Sequence, residues 1–203
     1  MYTKSIKRIL DFSISFFILC TTLPLFAIIA LTNVWIFRGN PFFVQTRTGY
    51  QGKPFQVFKF KTMRDLRSSS GDLLHDDLRL TRISKFFRKI NLDELPQLLN
   101  ILKGEMSFIG PRPLPVRYEP LYSEQQFQRH RVRPGITGLA QVHGRRSVSW
   151  KNRLNFDLEY TRKISFGLDL VILFKTIGVF FDRSGSEFAI EQNPETYLPD
   201  FSE

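Results

Sequence analysis

The polar and apolar positions of this chain divide it into a long uncharged run followed by shorter periodic segments. From Phe12 to Phe37 there are 26 residues without a charge. A straight helix of that length measures about 39 Å, enough to cross a hydrocarbon core of about 30 Å with tilt. Two features argue against a plain span. Pro24 sits inside the run, where it removes a helical hydrogen bond and crowds the carbonyl four residues back. The flanks are also alike: Lys4, Lys7 and Arg8 precede the run, and Arg38, Arg47 and Lys53 follow it. Basic flanks favour the cytoplasmic side, so both ends prefer the same face. The expected arrangement for residues 1–38 is therefore a helix broken at Pro24 that re-enters the leaflet it came from. The hydroxyls of Thr22 and Thr21 would satisfy the freed backbone groups. A single straight span is the alternative. A cleaved signal peptide is disfavoured, because the run is too long and no small-x-small site follows it.

Beyond the run the period changes to two. Phe42, Phe43 and Val44 form one arm, Gly49, Gly52 and Pro54 supply turn chemistry, and Phe58 and Phe60 alternate with Lys59 and Lys61. This predicts a β-hairpin over residues 41–63. A polar loop follows at residues 64–71, then a basic helical stretch at 74–90. Leu92, Leu95, Leu98, Leu99 and Leu102 recur at helical spacing. Proline is tolerated in a first helical turn, so Pro96 places the start of that helix with Asp93 as its N-cap. Ser123 and Gln126 have capping-box spacing. Residues 150–163 form another helix. Phe166 to Phe181 is apolar apart from Asp169 and Lys175, too short for a comfortable span, and fits an interfacial amphipathic helix or one packed on the domain. Residues 182–203 carry six acids and one base and read as an acidic tail. The fold class is mostly α with a small β-hairpin (α+β), and residues 39–181 form the domain behind the membrane segment.

Charge sharpens this picture. Residues 1–90 hold 15 Lys and Arg against 5 Asp and Glu, whereas residues 91–203 hold 14 of each. The excess of positive charge thus surrounds the apolar segment, which suits anionic membrane lipids and phosphate-bearing substrates. A nucleic-acid partner is not expected, since no zinc, helix-turn-helix or RNA-binding signature occurs. The single cysteine, Cys20, excludes a disulfide framework.

The candidate chemistry centres on Asp93 and Glu94, adjacent carboxylates at the positive end of a helix. Such a field favours their ionised forms and suits a nucleophile or metal ligand. The plainer reading is that Asp93 only caps the helix and Glu94 decorates its first turn. Arg112 stands between Pro111 and Pro113, so its backbone is stiff and its guanidinium is pre-positioned for phosphate. Lys59 and Lys61 are either a solvated face or phosphate contacts. In Arg133–Arg146, Gly135 and Gly138 permit close approach of backbone to a ligand, and Arg145 and Arg146 suit a pyrophosphate. No Walker or dinucleotide glycine pattern is present. A lone histidine such as His143 is more often structural.

Taken in order, several motifs form one set: Lys7-Arg8-x-x-Asp11, Gln45-x-Arg47-x-Gly49, Lys59-Phe-Lys-Thr-Met63, Leu92-Asp-Glu-Leu-Pro-Gln-Leu98, Gly110-Pro-Arg-Pro113, Arg133-Pro-Gly-Ile-Thr-Gly138 and Gln141-Val-x-Gly-Arg145. The set resembles the bacterial sugar transferases, the monotopic polyprenyl-phosphate phosphoglycosyl transferases. Within them it is similar to the small members, the catalytic unit alone, that begin bacterial N-linked glycosylation with UDP-N,N'-diacetylbacillosamine. The resemblance implies that Asp93 attacks the β-phosphate of a UDP-sugar and expels UMP. Undecaprenyl phosphate then takes the sugar phosphate from the enzyme. It implies Mg2+ held by Glu94 with Asp93, and phosphate-binding roles for Arg112, Arg145 and Lys59, with Asp157 as a further ligand or base. It also implies a monotopic enzyme on the cytoplasmic face of a bacterial inner membrane, whose product passes to downstream glycosyltransferases. Leu23 before Pro24, Lys61 and His143 depart from the usual residues at their positions. The rival readings are a metal-dependent nucleotide-sugar hydrolase and a non-enzymatic membrane-surface scaffold.

Overall fold

The computed structural model describes residues 2–144, 148–181 and 201. Arg145 and nearly all of the acidic tail lie outside these described residues. The first long element is α1 (Lys7–Phe37), entered through a short wide-helical turn at Tyr2–Ile6. At 31 residues it measures roughly 46 Å, long and apolar enough to cross a membrane. Pro24 lies within α1 without dividing it, which corrects the expected helix-break-helix. The Thr22 hydroxyl donates to the Ile18 carbonyl at 2.7 Å and that of Thr21 to Phe17 at 2.9 Å, one turn before the Cys20 carbonyl that Pro24 leaves without its N–H. The expected compensation of that carbonyl by these hydroxyls is therefore also corrected.

The helix is inverted relative to one in a soluble protein. Its inward residues include Lys7, Asp11, Ser15 and Asn33, whereas Phe12, Phe16, Phe17, Leu31 and Trp35 are exposed. Ile18, Leu19, Phe26 and Ile29 pack on the domain, and polar groups of α1 add specific bonds to it. Lys7 pairs with Asp169 at 2.6 Å, and the Phe108 N–H donates to Asp11 at 3.1 Å. Asn33 donates to the carbonyls of Lys61 and Pro41. An exposed apolar surface this extensive marks contact with lipid or another protein.

The hairpin is as expected. Strands β1 (Phe42–Thr48) and β2 (Pro54–Phe60) pair antiparallel with Phe42 opposite Phe60 and Thr48 opposite Pro54. Two short helices follow, α2 (Asp76–Arg79) and α3 (Arg82–Lys89), the second capped by the Thr81 side chain. Then come α4 (Gln97–Lys103), β3 (Ser107–Ile109), α5 (Glu124–Phe127), β4 (Gly135–Thr137), α6 (Leu139–Val142), α7 (Trp150–Lys163) and α8 (Phe166–Phe181). The capping box at Ser123 and Gln126 forms at the start of α5, and α7 and α8 have the bounds read from sequence. A second pairing, β3 parallel to β4, was not anticipated.

The core has three parts. Val57, Leu98, Ile101 and Met106 join the hairpin to α4. Ile109, Leu139, Tyr160 and Ile172 join β3 to the later helices. Tyr118, Leu154 and Phe201 form a third cluster, with Tyr122 and Trp150 packed against it, in which Phe201 brings one residue of the C-terminal segment back onto the domain. α8 keeps Phe166, Val171 and Phe174 exposed, so its outer face resembles that of α1.

Candidate active site

Asp93 and Glu94 lie in a 3-10 turn, Leu92–Glu94, rather than at the start of α4. Pro96 is the physical reason. It has no N–H to give the Leu92 carbonyl, so that oxygen accepts instead from Leu95 N at 3.2 Å, a tighter spacing. Asn91 opens the turn in the left-handed region, which asparagine tolerates better than most residues. Asp93 therefore makes no capping bond to α4, which corrects the N-cap expectation.

The two carboxylates are differently treated. Glu94 Oε1 accepts from Lys59 Nζ at 2.7 Å and from Arg112 Nη2 at 3.3 Å. Burial alone would raise its pKa, but the two cations outweigh burial and hold it at about 2. Asp93 is only 9% exposed. Burial raises its pKa; Lys59 opposes that rise, Glu94 adds to it, and Arg88 opposes it again. Glu94 is thus kept ionised by Lys59 and Arg112 and not by a helix field, and the expectation of ready ionisation is corrected for Asp93. The site has one fixed anion beside one buried carboxyl that ionises at higher pH than usual.

The cations are placed by the hairpin and by a loop after β3. Lys59 is on β2, and β2 is locked to α4 by Asn100. That fully buried side chain accepts from Phe58 N at 3.1 Å and donates to the Gln56 carbonyl at 2.6 Å. Lys61 turns elsewhere, pairing with Asp65 at 2.5 Å. Arg112 sits on the Pro111–Pro113 loop, whose path depends on three glycines. A Cβ on Gly135 would lie 2.1 Å from Gly110 N, and one on Gly138 would lie 2.2 Å from Gly110 O. These glycines approach another stretch of backbone, which corrects the reading that they were spared for a ligand. Gly135 N also donates to the Pro111 carbonyl at 3.0 Å.

Asp157 does not join the dyad. Its carboxylate is 3% exposed and takes Arg129 Nη2 at 2.6 Å and Nε at 2.9 Å. Arg129 Nη2 also donates to the Arg112 carbonyl at 2.7 Å. Asp157 thereby holds the guanidinium that holds the Arg112 backbone. His143 is structural: its ring stacks on Phe156 with centroids 4.7 Å apart. Sequence reading missed Arg88, Arg129 and Asn100. The first two looked like ordinary surface charges, and a single asparagine inside a leucine-rich helix was the only hint of the third.

The donor set bears on a metal. Mg2+ is commonly held by one or two carboxylates and completed by phosphate oxygens and water. Asp93 and Glu94 fit that pattern, with Glu94 kept anionic. Among the described residues no cluster of three His, Cys, Asp or Glu side chains supplies an all-protein cage.

Lys59 and Arg112 thus converge on Glu94 beside a buried Asp93, in a chain with one exposed helix long and apolar enough to cross a membrane. Residues 2–183 match the model of the bacterial sugar transferase family, and the chain belongs to that family. It is 48% identical over 176 residues to the uncharacterized sugar transferase EpsL of Bacillus subtilis, covering 85% of each chain. It is 38% identical over 188 residues to the exopolysaccharide production protein ExoY of Sinorhizobium fredii, covering 84% of this chain and 83% of that one. It is also 38% identical over 181 residues to the UDP-glucose:undecaprenyl-phosphate glucose-1-phosphate transferase of Klebsiella pneumoniae. Here it covers 84% of its own length but only 39% of the larger protein.

Proposed function

We propose that this protein transfers a sugar 1-phosphate from a UDP-sugar to undecaprenyl phosphate and releases UMP. The observation that carries this reading is the pairing of a buried Asp93 with a Glu94 on which Lys59 and Arg112 converge. An Asp93 oxygen attacks the β-phosphorus, the bond from that phosphorus to the UMP oxygen breaks, and UMP leaves with the electron pair. The enzyme then holds the sugar phosphate as an acyl phosphate. An oxygen of undecaprenyl phosphate attacks the same phosphorus, the bond to Asp93 breaks, and the carboxylate is restored. Covalent catalysis of this kind splits one crowded transfer between anions into two. A carboxylate raised above its ordinary range is a stronger nucleophile once ionised, and Lys59 favours its ionisation. Lys59 and Arg112, now engaged with Glu94, are placed to receive substrate phosphate charge. Glu94 and Asp93 would hold Mg2+, which when bound would further neutralise that charge.

The relatives' names point to glucose 1-phosphate transfer and exopolysaccharide production, whereas the sequence resemblance suggested diacetylbacillosamine. The donor is accordingly tested with UDP-glucose and UDP-N,N'-diacetylbacillosamine side by side. We place the enzyme on the cytoplasmic face of the inner membrane, with both ends of the unbroken α1 on that side because Arg8 and Asn33, near its two ends, bond the same domain. The decisive experiment omits the lipid. UDP-sugar with Mg2+ should give a burst of about one UMP per active site, and labelled UMP should exchange into UDP-sugar. Strict dependence of both on the lipid would demote Asp93 to a base or ligand. Continuous UMP release without lipid would mean hydrolysis.

A further inference from the structure

A second cationic recess lies away from the dyad. Where α1 ends, an open cavity of about 790 Å³ is lined by Val34, Trp35 and Ile83 and by Arg38, Arg64 and Arg82. The arginines come from three separate segments: the residue after α1, the loop after β2, and the first position of α3. Their side chains make no hydrogen bond or ion pair with another described residue. The nearby acids are already engaged, Asp65 with Lys61 and Asp76 with Arg79. Three guanidiniums are thus left without a counter-charge beside an apolar wall.

The position says what fits. Trp35 is 80% exposed and stands near the polar end of an outward-facing apolar helix, where tryptophan settles at the headgroup level of a bilayer. Guanidinium forks match phosphate oxygens, and apolar side chains beside them match the glycerol and upper acyl region. We propose that this cavity binds the phosphate headgroup of an anionic glycerophospholipid of the same leaflet, as a resident lipid distinct from the acceptor. Arg82 and Arg88 stand at opposite ends of α3, six residues or about 9 Å apart along its axis. Arg88 is the residue of α3 that acts on Asp93 and Arg82 is not, which sets the recess apart from the dyad. The lipid ties α1, the segment after the hairpin and α3 together at the membrane surface. The proposal rests on the membrane seating of α1 and not on the transfer reaction.

The test uses the full chain in nanodiscs of phosphatidylcholine with a minor share of phosphatidylglycerol. Lipid retained after exchange into detergent is counted by native mass spectrometry. Wild type should retain phosphatidylglycerol in preference to phosphatidylcholine. The combined variant Arg38→Gln, Arg64→Gln and Arg82→Gln should lose that preference by up to about a hundred-fold. Each basic residue beside an anionic headgroup is worth about 1 kcal/mol, and 1.4 kcal/mol is tenfold. A charge-matched variant, Lys151→Gln, Arg162→Gln and Lys163→Gln, should keep the preference. Equal loss in both variants, or none in the first, overturns the site. Displacement of the retained lipid by undecaprenyl phosphate in strict competition, or equally tight retention of soluble glycerol phosphate, overturns its assignment to a resident lipid. Should the triple variant fold poorly, Arg82→Gln alone should give about a five-fold loss.

Discussion

The glycine contact behind Arg112 permits a sharp test with an internal control. In Gly135→Ala the new methyl would meet Gly110 N at 2.1 Å, Thr137 O at 2.5 Å and Ile109 C at 2.7 Å. All three are backbone atoms of β3, its continuation or β4, so no side-chain rotation relieves the clash. Overpacking of this kind costs about 1–3 kcal/mol, and a purely backbone clash belongs at the upper end. For a chain of this length, about 3 kcal/mol lowers Tm by roughly 6–12 °C. Gly178→Ala is the control. Nothing lies within 4 Å of its added Cβ, and the site is inside α8. There, alanine should gain about 0.5–1 kcal/mol from helix propensity. Thermal unfolding of both variants in one detergent, followed by circular dichroism, gives the comparison. Gly135→Ala should also lose activity at temperatures where it remains folded, because parting β3 from β4 moves the loop that carries Arg112. A Gly135→Ala protein as stable and active as wild type would refute the view that this contact positions the loop.

Further outcomes follow from the dyad and from α1. Asp93→Asn should lose activity by several orders of magnitude and show neither the UMP burst nor the exchange. It should nonetheless be at least as stable as wild type at neutral pH. The Asp93 pKa is raised on folding, so its ionisation destabilises the fold as pH rises, and that difference should vanish in acid. A clear loss of stability at neutral pH would contradict the burial argument. Glu94 has the opposite sign. With a folded-state pKa of about 2, it contributes stability above its unfolded value that is lost as pH falls toward 2. The corresponding gap between wild type and Glu94→Gln is at most about 3 kcal/mol, since Arg112 is partly exposed. Glu94→Gln should also need more Mg2+; an unchanged requirement would remove Glu94 as a ligand. For topology, the exposed Cys20 is first replaced by Cys20→Ser. Ser5→Cys and Lys53→Cys should then both be shielded from an impermeant thiol reagent outside spheroplasts. Labelling of Ser5→Cys alone would establish a straight span.

What the sequence made legible was whatever depends on local periodicity. The alternation around Phe58 and Phe60 is a property of one strand and its turn, so the hairpin could be read without its surroundings. The limits of α7 and α8 follow from Ser149 as a cap and from the apolar run after Ser165. The adjacency of Asp93 and Glu94 was legible too, but not their unequal ionisation. That depends on Lys59, 35 residues away, and on Arg88 and Arg112 reaching the same spot. The β3–β4 pairing was invisible for a similar reason. Three-residue strands carry little pattern, and what joins these two is the fit of Gly135 against Gly110. Asp157 was chosen for its chemistry and found in a supporting position, because a buried partner such as Arg129 cannot be told from a surface arginine in one sequence.

The polar stripe of α1 links the long apolar helix to the candidate site. A helix that only anchored the domain could present polar groups anywhere outside the apolar region. Here those groups are spent on the elements that carry the dyad. Arg8 donates to the carbonyls of Ile101 and Leu102 in the last turn of α4, the helix that follows the dyad turn, where a cation is favoured by the helix dipole. Near the other end, Asn33 holds the Lys61 carbonyl, two residues beyond Lys59. Asp11 meanwhile takes the Phe108 N–H, on the strand leading to Arg112. Each arm of the site is therefore bonded to a different turn of one long helix. On the proposed membrane seating, the depth of α1 sets the height of Lys59, Glu94 and Arg112 with it. For a reaction joining a water-soluble nucleotide sugar to a lipid phosphate, that height is a catalytic parameter. Substitutions on the inward stripe of α1 should accordingly act on transfer to lipid more strongly than on release of UMP.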